Sequence, residues 1–164
     1  DVEKLWGYLL DGTLSYLGSD HAPFTPEEKE IGVREGIWRA YSGMPAIETF
    51  LPIMLTHVNN GKLSLEQLVQ FMSENTCRHF GLFPQKGCIE LGSDADFVVV
   101  DMEKEHTLKI DEMFSHARAI NLLFDGYKCK GMPTETVVRG RVVFEDGKVD
   151  DTAKGYGEYV ARKA

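Results

Sequence analysis

Leu14-Ser15-Tyr16-Leu17-Gly18-Ser19-Asp20-His21-Ala22-Pro23-Phe24 is the stretch that decides how this chain is read. A short apolar run ends on an acid, and a histidine and a proline follow at once. Residues 14–19 have the length and flanks of a buried strand, with Asp20-His21 where strand gives way to loop. In barrel enzymes that end of a strand is where catalytic groups collect. A carboxylate there can bind a divalent ion, or take a proton from an attacking water and pass it to a leaving group. It can also simply cap its own loop, the ordinary work of Asp before a turn, and from spacing alone that reading is the stronger.

Outward from this stretch the pattern is helical as far as Pro84. Val2–Leu10 reads as the end of a helix closed by Asp11-Gly12. Thr25 with Glu28 forms a capping box for a helix opening at Pro26. Ile47, Phe50, Leu51, Met54, Leu55 and Val58 make the i, i+3, i+4, i+7 stripe of a helix with one buried face, ended by Asn59-Asn60-Gly61. Ser64 with Gln67 is a second capping box, followed by a stripe at Leu65, Leu68, Val69 and Met72. A short helical piece over 75–80 stops at Gly81. From Gly87 the pattern turns to strands. Phe97-Val98-Val99-Val100 is one, and 124–130 another. Residues 136–144 read as a longer strand, in which Gly140 suggests a bulge. Residues 111–115 suit one helical turn, Asp146-Gly147 marks a hairpin, and residues 151–164 form an arm or frayed end.

Composition narrows the function classes. The 164 residues are 43% hydrophobic and carry a net charge of −8, a globular and acidic balance. No basic cluster stands against it, which argues against nucleic-acid binding. No run approaches ~18 apolar residues and no signal-peptide pattern opens the chain, so neither a membrane span nor a leader is expected. Cys77, Cys88 and Cys129 are odd in number and widely spaced, which favours a reducing, cytoplasmic setting and buried, inert thiols.

Ser19-Asp20-His21-Ala22-Pro23 resembles the last metal-site motif of the cyclic amidohydrolases: hydantoinase, dihydropyrimidinase, allantoinase and dihydroorotase. The likeness continues at Gly43-Met44-Pro45-Ala46-Ile47-Glu48-Thr49, at Asn75-Thr76-Cys77-Arg78-His79-Phe80-Gly81-Leu82, along residues 86–101 and at Val138-Arg139-Gly140-Arg141-Val142-Val143. It implies an α/β fold: the C-terminal part of a metal-dependent (β/α)8 barrel, with its last strand and flanking helices, plus a small β-sandwich domain. The domains would be 1–86 for the barrel part, 87–150 for the small domain and 151–164 for a tail. A whole barrel takes about 250 residues, so the chain reads as a segment of a longer hydrolase, and its start without Met fits that.

The resemblance also implies roles. Asp20 is catalytic and a metal ligand, shuttling the proton while metal-bound hydroxide attacks the ring amide carbon. His21, Ser42 and Gly43 contact the substrate, a small cyclic amide or ureide. The cofactor is a divalent metal, two zinc ions in the longer protein and none held tightly by this segment. The first His-x-His pair, the bridging lysine and two further histidine ligands of the family have no counterpart here, and His57, His79, His106 and His116 follow no ligand spacing. The segment alone is therefore expected to be inactive, and its unpaired strand and apolar stripes point to homo-oligomers. Phe24 stands where dihydroorotases show His, which favours the hydantoinase, dihydropyrimidinase and allantoinase group over a dihydroorotase proper. The other alternative is a non-catalytic, dihydropyrimidinase-like scaffold; the intact Asp20 favours the enzyme.

Overall fold

In a computed structural model the protein is described over residues 1–162. Its helices are α1 (Val2–Leu10), α2 (Pro26–Glu35), α3 (Ile47–Asn59), α4 (Leu65–Val69) and α5 (Asn75–His79), the last two joined by a π-helical turn over Gln70–Glu74. Four strands follow: β1 (Phe97–Thr107), β2 (Lys128–Val138), β3 (Arg141–Glu145) and β4 (Lys148–Val149). They form one sheet in the order β1-β2-β3-β4.

The helix starts follow local chemistry. The Thr25 hydroxyl accepts from the Glu28 amide at 3.2 Å while the Glu28 carboxylate accepts from the Thr25 amide at 2.8 Å. Ser64 and Gln67 repeat the exchange at 3.2 and 2.8 Å. Each box satisfies amides that a helix start otherwise leaves without partners.

Three strand expectations change. Residues 14–19 form no strand: Leu14 is a bend and 15–19 lie outside any regular element. A strand exists only through a neighbour's backbone, and here the Leu17 amide instead donates to the Phe71 carbonyl at 2.9 Å and Asn75 Nδ2 to the Ser15 carbonyl at 2.7 Å. Gly140 is no bulge inside one strand. Arg139 and Gly140, at φ +45° and +78°, are the two central residues of a tight hairpin between β2 and β3, the positive-φ pair that matches strand twist. Asp146 and Gly147, at +45° and +80°, repeat it before β4. The bulge lies elsewhere: Thr136 pairs with Phe144 but Val137 with Val142, leaving Val143 over. Of the strand expected over 124–130, only the last three residues belong to β2, and the expected turn near 111–115 is a 3-10 turn at Ile110–Glu112. The tail is anchored at Tyr156, which lies under the Arg139 and Arg141 guanidinium groups, 4.3 and 5.2 Å from its ring centre. Residues 163 and 164 of the expected arm lie outside the described residues.

The chain divides into two compact units. The first comprises Asp1–Gly18, Asn60–Asp101 and Pro133–Ala164, and buries Leu9, Leu63, Leu68, Phe71 and Val137. The second comprises Ser19–Asn59 and Met102–Met132. Its core is Leu108, Met113 and Cys129, with Ile53, Ile110, Phe124, Tyr127 and Met132 packed around it. Within this unit the Thr56 hydroxyl donates to Pro52 O at 2.8 Å and accepts from the Lys130 amide at 3.0 Å, so α3 is tied to β2 through a satisfied buried group. Gly131 (φ +97°) lies where a Cβ would stand 2.8 Å from that of Leu55, which is why β2 passes α3 on a glycine.

Candidate functional site

The four residues singled out by sequence fall in two loops of the second unit, 19–25 and 40–46, and backbone bonds bring these loops together. The Ala22 amide donates to the Met44 carbonyl at 3.0 Å. Gly43, at φ +104°, sits so close to Ala22 that a Cβ there would lie 2.6 Å from the Ala22 Cβ. His21 Nδ1 accepts from the Ala46 amide at 3.0 Å and the Ile47 amide at 3.3 Å, at the start of α3. Ser42 is exposed beside Gly43.

Lys29 completes the clasp, and sequence reading missed it. From α2 its ammonium donates to the Tyr41 carbonyl at 2.7 Å and also to the Gly43 carbonyl. It also lies 5.0 Å from the centre of the Phe24 ring, which meets Tyr41 edge-on at 5.2 Å. Only the Thr25 capping box, which sets the phase of α2, foreshadows where Lys29 falls. Phe24 is thus half-buried and packed between Lys29 and Tyr41.

Asp20 is exposed, at φ +44°, a left-handed conformation that Asp tolerates better than most residues. No hydrogen bond or ion pair involves its carboxylate among the described residues. It does not cap its loop. Its chemical capacity is that of an open carboxylate: to accept a proton or to offer one oxygen ligand. Among the described residues no three His, Cys, Asp or Glu side chains gather where they could hold a metal ion. A catalytic zinc takes three protein ligands and an open position, so the described residues do not on their own fit one.

The block from Gly92 to Asp96 is arranged differently, within the first unit. Lys86 Nζ pairs with Asp94 at 2.9 Å and with Asp96, and the Arg139 amide donates to Asp96 at 2.7 Å. The Gly140 amide donates to Ala95 O at 2.9 Å. Burial works against the Lys86 charge, but hydrogen bonds to Asp96 and Asp94 outweigh it and leave the pKa above its ordinary value. The hydrogen bond from Lys86, with a second from Gln85, holds the Asp94 carboxyl below its usual range. Asp96 holds the loop to the β2–β3 hairpin, and Asp94 holds it to Lys86 and Gln85. Of the three cysteines expected to be buried only Cys129 is, Cys77 and Cys88 being half-buried; burial pushes the Cys77 and Cys129 thiols up.

The model of the Amidohydrolase family matches residues 1–143. An L-hydantoinase of Paenarthrobacter aurescens is 42% identical over 163 residues, 98% of this chain and 34% of the relative. A dihydroorotase of Methanothermobacter thermautotrophicus is 40% identical over 157 residues, 96% of this chain and 34% of the relative. Among solved structures, a D-hydantoinase (dihydropyrimidinase) from Thermus sp. superposes with a TM-score of 0.82 at 35% identity, covering 90% of this chain and 32% of that one. The chain thus spans about a third of the length of these relatives. No helix among the described residues is long and apolar enough to cross a membrane.

Proposed function

We propose, from the premise that the chain belongs to the amidohydrolase family, that it is the C-terminal part of a hydrolase opening cyclic amides of the hydantoin and dihydropyrimidine kind. The observation that carries this reading is Asp20: an exposed carboxylate without a partner among the described residues, on a loop bonded to Met44, Ala46 and Ile47 and packed against Gly43. In the proposed reaction water adds to a ring carbonyl carbon and the ring C–N bond breaks. Asp20 takes the proton of the attacking water and returns it to the departing nitrogen, so that one carboxylate serves as base and then as acid. Backbone groups of Ser42 and Gly43 hold the ring amide, and His21 lines the same pocket.

A divalent metal, two zinc ions in the longer protein, would supply Lewis acidity and lower the pKa of its bound water. Of the residues here only Asp20 is assigned as a ligand, and the remaining ligands would come from outside this chain. The barrel part is assigned to residues 1–86, the small β domain to 87–150 and the tail to 151–164. Val33, at 88% exposure, and Trp38, at 96%, support cover by further protein, either the rest of the longer chain or another copy in a homo-oligomer.

The test is Asp20→Asn in the longer enzyme. It keeps the side-chain shape and removes the base, and kcat should fall by about 10²–10⁴ with little change in KM. Near-normal turnover would return Asp20 to a loop residue. The 164-residue chain alone should neither open hydantoin, dihydrouracil or allantoin nor retain zinc. Elemental analysis after dialysis that found about two tightly bound ions per chain would refute the assignment of ligands outside it.

A further inference from the structure

The His21 ring has two nitrogens with different fates. Nδ1 accepts from two successive backbone amides, Ala46 at 3.0 Å and Ile47 at 3.3 Å. An imidazole nitrogen that accepts cannot carry the proton, so the neutral ring bears its hydrogen on Nε2. These two amides lie at the N-terminal end of α3, among the donors a helix leaves without partners. The first turn of α3 is thus capped by a side chain 25 residues earlier in the chain. Asp20, one residue before His21, is held at φ +44° on this same loop. The Ala22–Met44 bond of 3.0 Å and the close approach of Gly43 to Ala22 continue the attachment on the other side.

We infer that His21 is a positioning residue: its Nδ1 caps α3 and fastens the Asp20 loop to the 42–47 segment. With Nδ1 occupied by the two amides, Nε2 is the ring nitrogen left to meet a ligand. The cap itself does not rest on the hydrolase reading, because it concerns atoms of this chain alone, and it can fail or hold whatever the substrate proves to be.

Two measurements on the 164-residue chain test it. In the ¹⁵N–¹H spectrum of the histidine rings near neutral pH, His21 should show the Nε2–H tautomer, with an unprotonated Nδ1. The Nδ1–H tautomer would overturn the inference without any variant having to fold. The second measurement is amide exchange at Ala46 and Ile47. Asn places an acceptor near the position of Nδ1, whereas Gln places its own near Nε2. His21→Asn should keep both amides protected, and His21→Gln should speed their exchange about tenfold, the size of a lost helix cap. Faster exchange confined to the 42–47 segment and the Asp20 loop would support positioning. Equal protection in His21→Gln and the parent chain, or equal loss in both variants, would overturn it.

Discussion

The loops around Asp20 and those around Asp96 hold acids of opposite character. Asp96 and its neighbour Asp94 share Lys86 between them, and Asp96 also accepts from a backbone amide. Asp20 stands on a loop fastened through the Ala22 amide and His21 Nδ1, yet its own carboxylate meets nothing among the described residues. Both lie in motifs that resemble the same family, so resemblance alone does not tell a structural acid from a reactive one. Partnership does. An acid that a fold uses is neutralised or hydrogen-bonded, and an acid kept open on a rigid support is available for chemistry.

The comparison is broken most severely at the glycines beneath each loop. Gly43→Ala would force a φ of +104° on an L-residue and place a Cβ 2.6 Å from that of Ala22. Gly87→Ala would do the same at +90°, 2.7 Å from the Cys77 Cβ. Each should cost about 2–4 kcal/mol, strain and overpacking together. Urea denaturation would measure the loss, and hydrogen exchange would localise it. Gly43→Ala should open the Ala22 amide, whereas Gly87→Ala should leave it protected. If both variants exposed the same amides, the two loops would not be independent supports.

A smaller effect separates the acids themselves. Asp96→Asn removes the charge that faces Lys86 and should cost about 1–2 kcal/mol. Asp20→Asn removes a charge that faces nothing, and Asn tolerates the left-handed backbone of this position. Its stability should therefore stay within about 0.5 kcal/mol of the parent chain. A loss at Asp20 equal to that at Asp96 would mean that Asp20 is a structural acid, and its catalytic assignment would lose its main support.

What the sequence discloses follows the range of the interaction. Both capping boxes were legible because each closes within four residues, and the Asp146-Gly147 turn because its two residues suffice. Arg139-Gly140 was misread since β-branched residues flank it on both sides, and an Arg at positive φ carries no sign of turning. Residues 14–19 have the composition of a strand, but a strand is a property of pairs, and this one has no strand neighbour among the described residues. The loop pairing at the candidate site was legible only through resemblance. The roles of Lys29 and of His21 Nδ1 were not legible at all, because their partners lie 12 to 26 residues away.

The finest distinction is read with pH, at the tail of the first unit. Hydrogen bonds from Thr152, and then from Arg141, hold the Asp150 carboxyl down to about 2. An unfolded aspartate titrates near 3.9. Between these values the unfolded chain binds more protons than the folded one, so stability rises with pH across that window. The contribution of Asp150 is complete above about pH 4–5 and is lost as the pH falls toward 2. Asp94, also held low by its Lys86 partner, adds a slope of the same sign. Asp150→Asn should accordingly flatten the acid limb of a plot of urea midpoint against pH, while leaving the limb above pH 5 parallel to that of the parent. The mutation also loosens Arg141 from one side, so the midpoint at neutral pH should drop slightly. If the acid limb keeps its full slope in Asp150→Asn, the acid sensitivity of this unit lies with Asp94 and its lysine, and the fastened tail adds nothing to it.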